Sequence, residues 1–323
     1  MKKLIIIGNG FDLSHDLETR YYDLKKWMLE YLELPHCPTN KYLTVEDLIS
    51  PAILNRSFGD KGVADRMTYI FIDEVCKEEN EIDSEWGSLE EKLSQIDFVK
   101  WYYEAYQKKD FFKEKGRDWD NVEEELKCSF MYLEDLLICY LKEWVNSIDV
   151  SNVKEKSKFV DILDIDTYIL DFNYTQLIKG LYGSYIDLEK VCYVHITNEK
   201  NEVKKNYILG TNFNYGNNEI INYMPVFNNW FEERFTKNVR DIIKSNNTFF
   251  DRIRNCEEIY SYGFSFSNVD MYYVDYILKN IESNKITWYI NSYDWYKLDQ
   301  IRNKINLLNL KNKTIYFKEI NYK

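Results

Sequence analysis

Leu4-Ile5-Ile6-Ile7-Gly8-Asn9-Gly10-Phe11-Asp12 is the stretch on which the fold turns. Consecutive apolar, mostly β-branched residues stopped by a Gly-x-Gly turn describe a strand buried on both faces, as at the start of a parallel sheet. Downstream, Leu24, Trp27, Met28, Tyr31 and Leu32 recur at helical spacing, and Pro35 closes the pattern, so a helix is predicted over Tyr21 to Leu34. Strand, glycine turn and helix in that order open a Rossmann-type unit.

From about Tyr42 to Asp149 the pattern is helical, with amphipathic stretches at Ala64 to Lys77, Trp86 to Tyr106 and Val122 to Trp144, separated by polar loops at Ser57 to Gly62 and Lys108 to Asp120. Strand chemistry returns at Thr167 to Phe172, Val191 to His195, Tyr207 to Gly210, Glu258 to Tyr262, Ile286 to Ile290 and Thr314 to Phe317, with helices predicted over Val269 to Ile281 and Trp295 to Leu308. This alternation predicts an α/β protein with a Rossmann-like, largely parallel sheet flanked by helices. Residues 1–40 and 160–323 form the predicted core, and 41–159 a large helical insertion or lid.

The 323 residues allow one large domain or two smaller ones. A 45% hydrophobic, 30% charged composition is that of a globular chain. The net charge of −12 argues against general nucleic-acid binding, which needs a basic face to neutralise phosphates, and no clustered carboxylate pair points to metal-dependent cleavage. The Lys154 to Lys158 run sits among acids and reads as a solvated linker. The six cysteines show no C-x-x-C pair and are accompanied by only three histidines, so no metal site is expected. The apolar run after Met1-Lys2-Lys3 is too short for a secretory segment, and no stretch reaches membrane-spanning length. A cytoplasmic protein with reduced thiols and no membrane partner is expected. The oligomeric state stays open, a homo-oligomer included.

Several residues at the carboxyl ends of predicted strands are candidates for chemistry. Gly8, Asn9, Gly10, Phe11 and Asp12 lie where an open α/β sheet binds ligands; the alternative is a tight turn that needs glycine. Asp12 and His15 either reach a common ligand or cap the next segment, and Arg20 either meets a phosphate or is a surface charge. Asn173 ends the strand Thr167 to Phe172, where its amide can orient a water or hold a ribose hydroxyl, or close an Asx turn. His195, at the next strand end, is either a general base or a satisfied structural histidine. In Tyr262-Gly263-Phe264-Ser265, Gly263 allows close passage over a ligand and Ser265 can donate to a phosphate; Ser267 or Asn268 would cap the following helix, with Asp270 in its first turn.

Taken together, residues Leu4 to Asp12 with Leu13-Ser14-His15 and Leu17 to Leu24 resemble the opening of the bacteriophage abortive-infection AbiH family. Trp86-Gly87-Ser88-Leu89-Glu90, Phe172-Asn173-Tyr174-Thr175, Tyr193-Val194-His195 and Tyr262-Gly263-Phe264-Ser265 look like its later blocks, in order. That family is in turn distantly similar to sirtuin-like NAD-consuming domains. The resemblance implies a sirtuin-like fold, with Gly8, Gly10 and Asp12 near phosphates and ribose, Asn173 near the nicotinamide ribose, His195 as catalytic base, and Ser265 and Asp270 beside the adenosine half. The ligand implied is NAD or a related nucleotide, with no further cofactor required. Two departures stand out. Ile196, Thr197 and Asn198 follow His195 where the family usually has glycine, and Asp16 and Glu18 replace a glycine and a proline.

The expected function is therefore an anti-phage effector that hydrolyses NAD or a related nucleotide at its N-glycosidic bond. The alternative is a non-catalytic nucleotide sensor or partner-binding module, whose helical insertion recognises a phage or host protein trigger.

Overall fold

A computed structural model describes residues 2–31, 106–198, 205–207, 239–268 and 270–322. Its strands are β1 (Lys3–Ile7), β2 (Thr167–Asp171), β3 (Val191–Tyr193), β4 (Ile196–Asn198), β5 (Lys205–Tyr207), β6 (Glu258–Tyr262), β7 (Lys285–Asn291) and β8 (Thr314–Ile320). Six of them form one sheet in the order β3-β2-β1-β6-β7-β8. Every pairing in that sheet is parallel. Successive strands thus add outward on one side of β1 and then on the other, so the direction of winding reverses between β1 and β6, as in doubly wound nucleotide-binding sheets.

The sequence of β1 explains its central position. Leu4 and Ile6 enter one core with Tyr168, Leu170, Ile259 and Trp288. Ile5 and Ile7 point the other way, into a second core with Ile169, Tyr182, Tyr262 and Phe159. Side chains alternate across a strand, so only an apolar run can bury both faces, and each fully buried Leu or Ile contributes roughly 1.5–3 kcal/mol.

Helix α1 (Asn9–Ser14) follows β1 directly, and α2 (Tyr21–Tyr31) follows α1. The remainder of the helix predicted to Leu34 lies outside the described residues. Between β1 and β2 come helices Lys109–Glu114, Trp119–Ser147 and Ser157–Val160. The long one buries Val122, Leu126, Leu136, Tyr140 and Trp144, a stripe at helical spacing that explains why it forms. The first of the three corrects the loop predicted over Lys108 to Asp120: Phe112, 2% exposed, anchors a short helix there. The stretches Ser57 to Gly62, Ala64 to Lys77 and Trp86 to Ala105, with Trp86, Leu89 and Glu90, lie outside the described residues. Phe159 packs in the sheet's second core, so the segment rejoins the sheet already at Ser157–Val160.

At β3 the structure departs from the expected strand Val191 to His195. Val194 N donates to Asp171 O, the last residue of β2, and the strand register ends with Tyr193 opposite Asp171. The chain turns away, and β4 pairs antiparallel with β5 in a separate two-stranded sheet. Of the strand predicted at Tyr207 to Gly210, Tyr207 belongs to that small sheet and 208–210 lie outside the described residues. Late in the chain the helices are Met271–Asn280 and Leu298–Asn306, each shorter than predicted. Among the described residues no helix is long and apolar enough to cross a membrane.

Candidate functional site

Register sets the site. Ile7 lies opposite Asp171 on one side and Tyr262 on the other, and Asp171 lies opposite Tyr193, so β3, β2, β1 and β6 end abreast. The residues that follow them are Val194-His195, Phe172-Asn173, Gly8-Asn9-Gly10 and Gly263. Every predicted strand-end candidate therefore sits on one edge of the sheet.

At the winding reversal the glycines meet each other. Gly8 N donates to Tyr262 O and Gly10 N to Gly263 O, both at 3.1 Å. A Cβ on Gly10 would come within 2.5 Å of Gly263 Cα, and one on Gly263 would overlap the Gly10 backbone. Gly263 also has φ of +60°, a left-handed conformation that costs other residues energy. The backbone approach for which these glycines were singled out is made here by the chain itself, and two N–H groups of the first turn are occupied by carbonyls.

Phe11 is fully buried among Phe159, Tyr182 and Tyr262. His15 is buried too. Its Nδ1 donates to Phe11 O at 2.8 Å, and its Nε2 accepts from the Tyr182 hydroxyl at 2.7 Å, an arrangement that needs the neutral ring. Burial lowers its pKa accordingly. Arg20 is exposed, and its N–H donates to Asp23, capping α2.

Asn9 Nδ2 donates to Thr19 O, and among the described residues its buried Oδ1 has no hydrogen-bond partner. Asp12 is 1% exposed and accepts on both oxygens, from Asn173 Nδ2 at 3.1 Å and Thr175 Oγ1 at 2.6 Å. Burial dominates and pushes its carboxyl up to about 7, against the lowering effect of those two hydrogen bonds. Asp171, equally buried, accepts the Asn173 N–H at 2.8 Å, so the Asx turn closing β2 is made by Asp171. Its pKa is raised well above the ordinary value by burial and then by the charge of Asp12.

Asn173 is buried, and among the described residues its Oδ1 has no hydrogen-bond partner. One strand over, the His195 ring is 4% exposed, stacked on Tyr174 at 4.8 Å and edge-on to Phe172. Ile196, where the resemblance expects glycine, is buried at the start of β4. Asp16, the other replaced glycine, has φ of +61°, which accounts for a glycine there, and aspartate is among the few residues that tolerate it. Asp16 and Glu18 line a cavity of about 300 Å³ with Trp27 and Trp144, between α2 and the end of helix Trp119–Ser147.

Ser265 and Asp270 belong to a cap. Ser267 Oγ donates to Asp270 at 2.9 Å and accepts from Asp270 N at 3.3 Å, and Ser265 Oγ lies 3.5 Å from the same carboxylate. Sequence reading did not single out Asp171, Thr175 or Tyr174. The signal was present as three polar residues, Asp171, Asn173 and Thr175, at alternate positions across a strand end, and two of them, Asn173 and Thr175, meet Asp12.

A family model described as bacteriophage abortive infection AbiH matches residues 4–292. No curated protein and no solved structure matches the chain.

Proposed function

This chain belongs to the bacteriophage abortive infection AbiH family, and from that premise we propose that it is an abortive-infection effector that binds NAD or a related nucleotide at the sheet edge and hydrolyses its N-glycosidic bond. The observation that carries this reading is the pairing of adjacent strand ends: Asn173 presents a buried Oδ1 without a partner among the described residues, and His195 follows the neighbouring strand. Asn173 Oδ1 accepts a hydrogen bond from a ribose hydroxyl or the attacking water. The bond from C1′ of the nicotinamide ribose to the ring nitrogen breaks, nicotinamide leaves with the electron pair, and the water oxygen bonds to C1′. His195 takes the proton that water loses. Gly8, Gly10, Gly263, Ser265 and Asp270 shape the rim that the phosphates and adenosine half follow.

A second reading is a non-catalytic nucleotide sensor or partner-binding module, its helical segment recognising a phage or host protein. The His195 ring, buried and stacked on Tyr174, favours it, because it is kept from solvent. Free nicotinamide measured after incubating the purified protein with NAD separates the two. We expect release by the wild type, and a loss of roughly 10²–10⁴-fold in His195→Ala and Asn173→Ala, the usual worth of a positioned acid–base group. Calorimetric NAD binding without turnover in the wild type selects the sensor, and neither binding nor turnover removes NAD as the ligand and leaves the partner-binding module.

A further inference from the structure

The geometry points to Asp12 as a positioning residue that sets which end of the Asn173 amide is offered to a bound molecule: Oδ1 when the Asp12 carboxyl is ionised, Nδ2 when it is protonated. The functional weight of this inference rests on the reading that Asn173 meets a ligand; the switch itself does not.

The argument begins with the hydrogen-bond inventory. An ionised carboxylate only accepts, whereas an amide side chain has a donating and an accepting end. Asp12 Oδ1 receives Asn173 Nδ2 and Asp12 Oδ2 receives the Thr175 hydroxyl, so both oxygens are committed as acceptors. The Asn173 amide must then turn Oδ1 away from Asp12, and that is the buried atom without a partner among the described residues. A proton on the carboxyl reverses one contact. Its O–H needs an acceptor, Asn173 Oδ1 supplies one after a half-turn of the amide, and Nδ2 then points outward.

The surroundings let this happen near neutral pH. Asp12 titrates at about 7, mainly because burial disfavours its charge. Among the described residues, the titratable groups near the pair include Asp171 on β2, with Cys192 and Tyr193 next to it on β3, and His195, which follows β3 and stacks on Tyr174. Burial raises the first three, Cys192 to about 12 and Tyr193 further. Two buried carboxyls this close repel each other when both are charged. Asp12 accepts from two side-chain donors, Asn173 Nδ2 and Thr175 Oγ1, and a single negative charge on the two carboxyls is held there.

A ribose hydroxyl or a water held by its proton requires the outward acceptor, hence ionised Asp12. If only that form binds, the apparent Kd weakens about tenfold per pH unit below the midpoint.

The test uses the full chain labelled with ¹⁵N-asparagine. The side-chain amide signal of Asn173, assigned by its loss in Asn173→Ser, is followed from about pH 5.5 to 8.5, spanning the Asp12 midpoint. We expect one transition near 7 that disappears in Asp12→Asn, moves upward in Thr175→Val, which loses a hydrogen bond that lowers the Asp12 pKa, and keeps its midpoint in Asp171→Asn. Calorimetry with NAD on the wild type should give an affinity that rises through the same midpoint. An amide signal that is flat, or that titrates unchanged in both Asp12→Asn and Thr175→Val, overturns the inference. Titration as described without any NAD binding leaves the switch standing and removes the nucleotide reading instead.

Discussion

A buried carboxyl leaves a trace in stability as well as in chemistry. In the unfolded chain Asp12 ionises near 3.8, and in the fold near 7, so between those values the folded protein holds a proton that the unfolded chain has lost. The side with more bound protons is disfavoured as pH rises, and stability falls across that window. The gap corresponds to roughly 4 kcal/mol. His15 works with the opposite sign, since its lowered pKa makes stability fall as pH drops. We therefore expect Tm to decline from about pH 5 to pH 8, and Asp12→Asn to flatten that decline. Equal slopes in the two proteins would show that Asp12 carries no such charge. At this scale the sequence is ambiguous for a physical reason: a Gly-x-Gly-Phe-Asp turn reads the same whether its groups face a ligand or the protein. What resolved Phe11 and His15 into core partners is Tyr182, remote in sequence and unmarked in it.

The elements were more legible than their ends. The apolar run of β1 and the stripe from Val122 to Trp144 each bury what their periodicity assigned. The short helix at Lys109–Glu114 escaped because six residues with a single buried phenylalanine carry no period. β3 stopped early because β2 ends at Asp171, a property of the neighbouring strand rather than of Val191 to His195. The junction of β1 and β6 makes a direct prediction. Gly263 combines φ of +60° with a Cβ position that overlaps Gly10, so Gly263→Ala combines a left-handed alanine with a backbone clash. A loss above ~3 kcal/mol is expected in denaturant titrations. Gly180, inside helix Leu177–Tyr182, has open space at its Cβ position, and Gly180→Ala should gain about 0.5–1 kcal/mol. Similar values for the two variants would mean that the loops can separate, as nucleotide entry between them would require.

Among the described residues the main sheet reverses its winding between β1 and β6, with helices packed on both faces and the strand-end candidates along one edge. The α/β class and the parallel sheet could be read from alternation of strands and helices; the strand order could not, because it depends on pairings between distant segments. A ligand along that edge would touch the ends of β3, β2, β1 and β6 together, and it would bind the folded chain far better than the unfolded one. Mass action then stabilises the fold by about 2.7 kcal/mol at a hundredfold excess over Kd. We expect NAD to raise Tm by several degrees, and ADP-ribose to raise it less, since it lacks the nicotinamide ring while keeping the ribose assigned to Asn173. His195→Ala should keep most of the shift, because the ring is proposed to serve turnover more than binding. Duplex DNA at physiological salt should produce none, as a chain of net charge −12 offers little to neutralise phosphates. An absent shift with millimolar NAD and ADP-ribose would take the nucleotide away from this edge, and a DNA shift that fades with salt would direct attention to a local basic surface that the net charge conceals.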